Sequence, residues 1–305
     1  MQVCKVEYNI AGDYVQVDSV RLGNNVVVVT GKHLKTARII EEMHEDVENP
    51  EFVINGLKES DLDLDIFTFL ERFPGSEPRY DYHTEWEAFT RMHITNFDHW
   101  WQNQTTKKGR NRLRKSEKAG VVVERVEYND ELLDGIVNIY NETPIRQGRY
   151  FWHYNKDIAI VKKDLSRDLA RSDFFGAYHD GRLIGFMKLL YADRMAFPAL
   201  CVSMIEHYDK CPNNALIAKA VEVCAERGIP YFYYGHWRRD RHAQFLEANG
   251  FGKVLLPRYY VGLTGKGKIA LKLNLHRGPL GLIPDSIQEG LKVLRERVLS
   301  AKHGD

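Results

Sequence analysis

Phe245-Leu246-Glu247-Ala248-Asn249-Gly250-Phe251 reads as the end of a helix, begun near Arg239, that runs directly into a strand continuing through Arg258-Tyr259-Tyr260-Val261. Upstream of it, Tyr231-Phe232-Tyr233-Tyr234-Gly235 is a strand, rich in residues that favour a pleated surface. Pro212-Asn213-Asn214 opens a helix whose Leu216, Ala220, Val223 and Cys224 share one face until Arg227-Gly228 stops it. A strand spans about Leu200 to Ile205, and before it Phe174–Tyr178 and Leu183–Leu190 form a hairpin, because Asp180-Gly181 accepts the positive φ angles of a tight reversal. Further back come a helix from about Lys156 to Ala170, a loop from Asn141 to Tyr154, an amphipathic helix over Asp130–Tyr140, and a strand over Val121–Val126.

Strand, helix, helix, three antiparallel strands, helix, strand, helix, strand: this order over Val121–Leu263 resembles the GNAT (N-acetyltransferase) superfamily, with the Phe245–Phe251 ending as its most specific local marker. The basic stretch Lys107–Val121 immediately before it narrows the resemblance to the FemAB-like branch. Those enzymes resemble two fused acetyltransferase-like domains and transfer amino acids from aminoacyl-tRNA onto peptidoglycan precursor peptides. The resemblance implies an α/β (α+β) fold with an acetyltransferase-like mixed sheet flanked by helices. It also implies a smaller N-terminal α/β subdomain, read as a degenerate second copy.

The wider composition agrees with a soluble globular chain of two domains or one large one: 305 residues, 44% hydrophobic and 28% charged. A net charge of +1 argues against a globally basic nucleic-acid binder, and DNA is not expected as a partner. No apolar run approaches the roughly 18 to 20 residues of a spanning helix, and Met1–Glu7 holds no signal-like apolar core, so the expected location is cytoplasmic. Cys4, Cys201, Cys211 and Cys224 have neither metal-binding nor redox spacing and read as incidental thiols.

Charge is distributed unevenly. Between Glu41 and Asp65, ten carboxylates are opposed only by Lys58. Lys107, Lys108, Arg110, Arg112, Arg114, Lys115 and Lys118 are opposed only by Glu117, an excess of six that leaves the rest of the chain at −5. Asn96 or Asp98 is expected to cap a helix that carries Trp100 and Trp101, runs through this arm and stops at Gly120. With Leu113 almost alone as an apolar side chain, the arm reads as a solvated or polyanion-facing helix. The first half shows strands at Val26–Val29, Asp65–Leu70 and Ala88–Ile94, a turn at Phe73-Pro74-Gly75-Ser76, and no clear motif. The expected division is 1–95 for the N-terminal subdomain, 96–120 for the basic arm, 121–265 for the transferase domain and 266–305 for a C-terminal strand and amphipathic helix. That segment's Ile287, Leu291, Leu294 and Val298 form the stripe of an amphipathic helix able to dock on the protein or touch an anionic membrane.

Departures from the family pattern bear on the donor. Ordinary members cradle the coenzyme A pyrophosphate on backbone N–H groups of a small-residue loop at a helix N-terminus. The corresponding Lys210-Cys211-Pro212-Asn213-Asn214-Ala215 keeps only Ala215; Pro212 removes a donor and Asn213 replaces a glycine, although Asn213 and Asn214 are also good helix caps. The tyrosine that many members use as general acid falls at Leu246. No cofactor is firmly implied: the donor is either aminoacyl-tRNA or acyl-CoA, with the former favoured.

On the acceptor side, the segment Asn141–Tyr154 concentrates Arg146, Arg149, Tyr150, Phe151, Trp152 and His153 around Glu142. Guanidinium forks grip carboxylates or phosphates and aromatic faces stack on sugars or bases, though the same rings would also serve to plug a seam. Glu142 and His153 are the proton acceptors available to deprotonate an attacking amine. His236, Trp237, Arg258 and Tyr260 are weaker substrate-binding candidates at strand ends. His236 and His242 lack a third ligand at metal spacing, and no metal is expected. The favoured reading is an acyl- or aminoacyl-transferase acting on an amine of a cell-envelope peptide, glycan or nucleotide-sugar precursor. Its basic arm would meet tRNA or a nucleotide- or lipid-linked precursor. The alternatives are an acyl-CoA-dependent N-acyltransferase and a non-catalytic module that binds RNA or another polyanion.

Overall fold

The computed structural model describes residues 3–10, 13–42, 45–72, 75, 77–146, 148–238 and 240–278. In chain order the elements begin with β1 (Cys4–Ile10), β2 (Asp13–Leu22), β3 (Asn25–Thr30), β4 (Thr36–Ile39), α1 (Pro50–Lys58), β5 (Ile66–Leu70) and β6 (His83–His93). There follow α2 (Phe97–His99), α3 (Lys107–Lys118), β7 (Val122–Val126), α4 (Asp130–Tyr140), β8 (Ile145–Arg146), β9 (Arg149–Tyr150), α5 (Ile158–Leu165) and β10 (Ser172–His179). The chain continues through β11 (Arg182–Ala192), β12 (Met195–Ser203), α6 (Pro212–Glu226), β13 (Tyr231–His236), α7 (Arg241–Ala248), β14 (Gly252–Gly262) and α8 (Gly265–Lys272). These form two compact units: one runs up to Glu87 and resumes at Leu255, and the other is Ala88–Val254. No described helix is long and apolar enough to cross a membrane.

In the second unit, β7 pairs antiparallel with β10, β10 with β11, and β11 with β12, after which β12 runs parallel to β13 and β13 antiparallel to β6. Side chains alternate across this sheet as the pleat requires. On β10, Phe174 joins Leu132, Ile136 and Ile139 of α4 and Leu165 of α5, whereas Phe175 joins Leu216, Ile217 and Val221 of α6. Both rings are buried, each worth about 2 to 3 kcal/mol of transfer free energy. Helices therefore cover both faces, which makes this unit a three-layer mixed α/β fold.

The first unit repeats the strand order in reduced form. Strands β1, β2, β3 and β4 follow one another antiparallel, β4 is parallel to β5 with α1 as the crossover, and β5 is antiparallel to β14. Val53, Ile54 and Leu57 of α1 cover one face, with Val27, Ile39, Phe67 and Phe69; Ala270 and Leu271 of α8 cover Ile66. A hairpin joins β1 to β2, where the second unit places two helices between β7 and β10. Each unit's sixth strand comes from elsewhere in the chain than simple succession would put it. Strand β6 follows β5 but pairs with β13, and β14 follows β13 but pairs with β5.

The helices that follow these two strands start with one device. Thr106 accepts a hydrogen bond from Gly109 N–H at 3.2 Å, and Thr264 accepts one from Gly267 N–H at 3.0 Å, each an N-cap. Both glycines press on backbone: a Cβ at Gly109 would lie 2.0 Å from Ala248 O, and one at Gly267 would lie 1.8 Å from Asp65 O.

Several expectations change. The single helix expected over 96–120 is broken: α2 passes into a turn of π-helix over Trp100–Gln104, and Thr106 takes an extended backbone (ψ 164°) so that its hydroxyl can cap α3. Helix α3 is also not polar all round, for Gly109, Leu113 and Ser116 are buried; a narrow stripe of small side chains suffices where backbones approach closely. The segment 141–154 is not simply a loop, since β8 and β9 pair as a short hairpin. The expected Lys156–Ala170 helix stops at Leu165. The C-terminal amphipathic stripe from Ile287 onward, most of the Phe73–Ser76 turn, Gln147, Arg239 and the side chain of Arg149 lie outside the described residues.

Candidate active site

Strands β12 and β13 pair in parallel only at Met195↔Tyr231 and Ala196↔Phe232. Pro198 on β12 has no N–H to offer, and beyond it the strands part. A cavity of about 640 Å³ opens there, lined from β12 by Cys201 and Ser203, from β13 by Tyr234, and from the start of α6 by Pro212, Asn213 and Asn214. Arg112 of α3, Arg146 and Tyr150 of the hairpin, Tyr208, and Arg241, His242 and Phe245 of α7 complete the wall. All of these belong to the second unit.

The side chains of Cys201 and Tyr234 both line the cavity between the parted strands, and the Cys201 thiol donates to Asn213 Oδ1 at 3.8 Å. Burial pushes the Cys201 thiol up to about 12, raises Cys211, and holds the Tyr234 phenol well above its ordinary value. Both cavity thiols are therefore protonated near neutral pH and are poor nucleophiles. Desolvation lowers the pKa of His242, with Arg238 adding to the effect and Asp240 opposing it, so this imidazole is neutral near pH 7. A neutral ring can accept a proton.

The start of α6 is unusual. Cys211 stands at the cap in left-handed conformation (φ 56°) and supplies no side-chain bond, with Pro212 at the first helical position. Neither asparagine caps the helix. Asn214 donates from Nδ2 to Asn249 Oδ1 at 2.9 Å, Asn249 donates to Phe245 O at 2.7 Å, and Trp100 Nε1 donates to Asn249 O at 2.8 Å, a buried chain joining α6 to the end of α7. Asn213 faces Cys201, and Ala215 is buried in the core. Leu246 is core as well.

Arg146 and Glu142 are spent on structure. Arg146 Nη1 donates to Ser203 O at 2.6 Å and Nη2 donates to Ile139 O at 2.6 Å and to Glu142 Oε2 at 3.1 Å, with the guanidinium 4.5 Å from the Phe151 ring centre. Glu142 accepts from Ile205 N–H through Oε2 and from Glu206 N–H through Oε1, each at 2.8 Å, which caps the turn over Ile205–Lys210. With both oxygens engaged it is poorly placed as a base. His153 is buried between Tyr140 and Trp152, ring centres 4.4 Å and 3.8 Å away. Burial first, then Lys156 and Arg146, pushes it down to about 3, and it does not line the cavity. Trp152 is exposed and carries Lys156 Nζ at 4.3 Å from its ring centre. His236 packs 4.5 Å from Phe89 and lines a neighbouring cavity of about 410 Å³, whose wall Tyr234 and His242 share; the backbone N–H of Trp237 donates to Ala88 O. Arg258 and Tyr260 belong to the first unit and line no part of either cavity. Arg258 is held by Glu42 at 2.7 Å and Glu87 at 2.5 Å.

The arm behaves differently. Lys107, Lys108, Arg114, Lys115 and Lys118 are exposed, and among the described residues none of the seven cations of α3 forms an ion pair. Arg110 donates to Trp101 O and Thr105 O, Arg114 lies 5.4 Å over the Trp101 ring, and Arg112 reaches the cavity. Arg241, also on the cavity wall, is likewise without an ion pair among the described residues. Sequence reasoning found Arg112 through the charge excess but missed Arg241, His242, Tyr208 and Tyr234, which carry no local motif.

Residues 103–242 match the family model described as an acetyltransferase (GNAT) domain, and the chain is a transferase of that fold. The architecture as a whole is GNAT-like in the FemAB manner. It is similar to a crystal structure of FemX, with a TM-score of 0.59 at 11% identity, covering 89% of this chain and 90% of that one. It is also similar to L-PGS from Bacillus licheniformis, with a TM-score of 0.53 at 13% identity over 83% and 86% of the two chains. A third likeness is to the C-terminal domain of a protein assigned as a lysylphosphatidylglycerol synthetase in Agrobacterium fabrum, with a TM-score of 0.52 at 12% identity over 83% and 85%. No curated protein matches the sequence.

Proposed function

We propose that the protein transfers an aminoacyl group from aminoacyl-tRNA to an amine of a cell-envelope peptide, glycan or nucleotide-sugar precursor. The observation that carries this reading is that Arg112 lines the cavity while its neighbours on α3 are exposed cations without ion pairs. A small phosphate-bearing donor would need only the cavity's own cations. A helix with several more suits a donor whose backbone continues outward as a polyanion. In the reaction the amine attacks the ester carbonyl, the new amide bond forms, and the ribose oxygen leaves. His242 takes the proton that the amine loses and passes it to the departing ribose oxygen, which leaves as the tRNA hydroxyl, the role its neutral ring and its place on the wall allow. Arg112 and Arg241 hold the donor's phosphates, and Tyr150 and Tyr208 border the reacting ends. With both thiols protonated, transfer is direct, without a cysteine-bound intermediate.

A second reading, an acyl-CoA donor, is favoured by the start of α6 at the cavity, a helix N-terminus without a side-chain cap, where an anion is favoured. Titration with aminoacyl-tRNA at two salt concentrations separates the two. The first reading expects salt-dependent affinity that Arg112→Glu and Lys115→Glu weaken, the logarithmic salt slope flattening by about 0.7 to 0.9 per lost contact. Absence of tRNA affinity together with tight calorimetric binding of acetyl-CoA would establish the second.

A further inference from the structure

The first unit contains a cluster that transfer does not use. His83 and Glu85 stand two residues apart on β6, hence on the same side of the strand, and His276 arrives from the turn after α8. One ligand atom from each of the three lies within 4.8 Å of the others. His276 Nε2 is 2.7 Å from Glu85 Oε1, and His83 Nε2 is 3.5 Å from the same oxygen. The His276 side chain is only 2% exposed, while that of His83 is 40% exposed and leaves the cluster open to solvent. The Tyr260 ring walls the cluster, its centre 4.7 Å from that of His276 and 6.0 Å from that of His83.

We propose that His83, Glu85 and His276 form a binding site for a borderline divalent cation of the zinc class, with at least one position left to water. Two imidazoles and one carboxylate are the donor set such ions prefer and one that magnesium or calcium does not select. Bonds of about 2.0 to 2.2 Å bring ligand atoms to about 3.3 Å from one another, so closure requires small side-chain rotations and no movement of the strand. Among the described residues all four polar contacts of the Glu85 carboxylate fall on Oε1, including those from Arg277 Nε at 3.0 Å and Nη2 at 2.9 Å. Arg277 thus occupies the carboxylate that the ion would take, and its partly exposed guanidinium can swing away. The ion would fasten the turn after α8 to β6.

The test uses untagged full-length protein, stripped with a chelator and titrated calorimetrically with zinc chloride and separately with magnesium chloride. One zinc per chain, no magnesium heat, and a loss of about tenfold or more in affinity for both His83→Ala and His276→Ala are expected. Arg277→Ala should tighten zinc, because a competitor for Glu85 is gone. Far-ultraviolet circular dichroism confirms that each variant is folded; His83, being exposed, keeps the test valid if His276→Ala is not. Absence of stoichiometric zinc binding, or binding that His83→Ala leaves unchanged, overturns the proposal.

Discussion

The two units share a strand order and differ in what they do with it. At the C-terminal ends of the parallel pair in the first unit, Ile39 and Phe69 meet in one apolar cluster that Tyr80, Tyr82 and Tyr259 extend, with Phe69 and Tyr259 ring centres 4.9 Å apart. At the corresponding ends in the second unit, β12 and β13 part and Ser203 and Tyr234 face a cavity. Charge follows the same division. In the first unit Asp65 accepts from Lys35 N–H, Thr264 and Lys266, Glu71 meets Arg79 and Tyr259, and Arg258 sits between two carboxylates. In the second, α3 leaves its cations unpaired among the described residues. The first unit is filled and cross-linked at these strand ends, and the second is open there.

Four experiments would break or sharpen this contrast. Arg258→Leu removes a buried cation and leaves Glu42 and Glu87 facing each other, so a loss of about 3 to 5 kcal/mol in urea unfolding is expected. Parity with wild type would mean that the ion pairs of the first unit are ornamental. Gly109→Ala and Gly267→Ala come next: helix propensity favours each change by about 1 kcal/mol, yet contact with Ala248 O or Asp65 O should reverse the sign and cost about 2 to 3 kcal/mol. A stabilised Gly109→Ala variant would show that α3 is loosely seated.

Acid should act on the two units in different windows. His153 has a folded pKa near 3 against about 6.5 unfolded, so the unfolded chain binds its proton first. Stability is therefore fully present above about pH 6.5 and falls by up to about 1.4 kcal/mol per pH unit as the pH drops toward 3. His153→Phe should flatten that slope in denaturant midpoints measured against pH. For Asp65, burial works against the charge, but hydrogen bonds from Lys266, the Lys35 N–H and Thr264 prevail and lower its pKa. Asp65→Asn should accordingly change the profile only below about pH 4. The smallest stability effect belongs to Arg112→Glu, expected within about 0.5 kcal/mol of wild type while polyanion binding drops. A large destabilisation would assign Arg112 to the fold instead of the ligand.

Much of the second unit is legible in sequence because its signals are local: the Asp180-Gly181 turn, the apolar face of α6 and the Phe245–Phe251 ending each specify their own backbone. In the first unit, β1 carries Lys5 and Glu7 and β2 carries Gln16, Asp18 and Arg21, so neither offers an apolar run. Their order emerges only from pairings such as that of Phe69 with Tyr259, 190 positions away. The site was legible where chemistry was concentrated, as in α3. It misled at Glu142 and Arg146, whose decisive partners are backbone groups at Ile139, Ser203, Ile205 and Glu206. Arg241 and His242 open a short helix with no pattern to mark them.

The exchanged sixth strands also constrain synthesis. The first unit cannot finish its sheet until β14, ending at Gly262, has emerged from the ribosome, so β5 waits with an unpaired edge while most of the chain is made. The second unit, whose borrowed β6 precedes everything else in it, has no such delay after β13 appears. Vectorial synthesis should thus complete the unit that holds the cavity before the unit that begins with β1. Ribosome-bound intermediates halted near residue 255 would expose that edge to chaperones, and a circular permutant placing Leu255–Gly278 ahead of Cys4 would remove the wait.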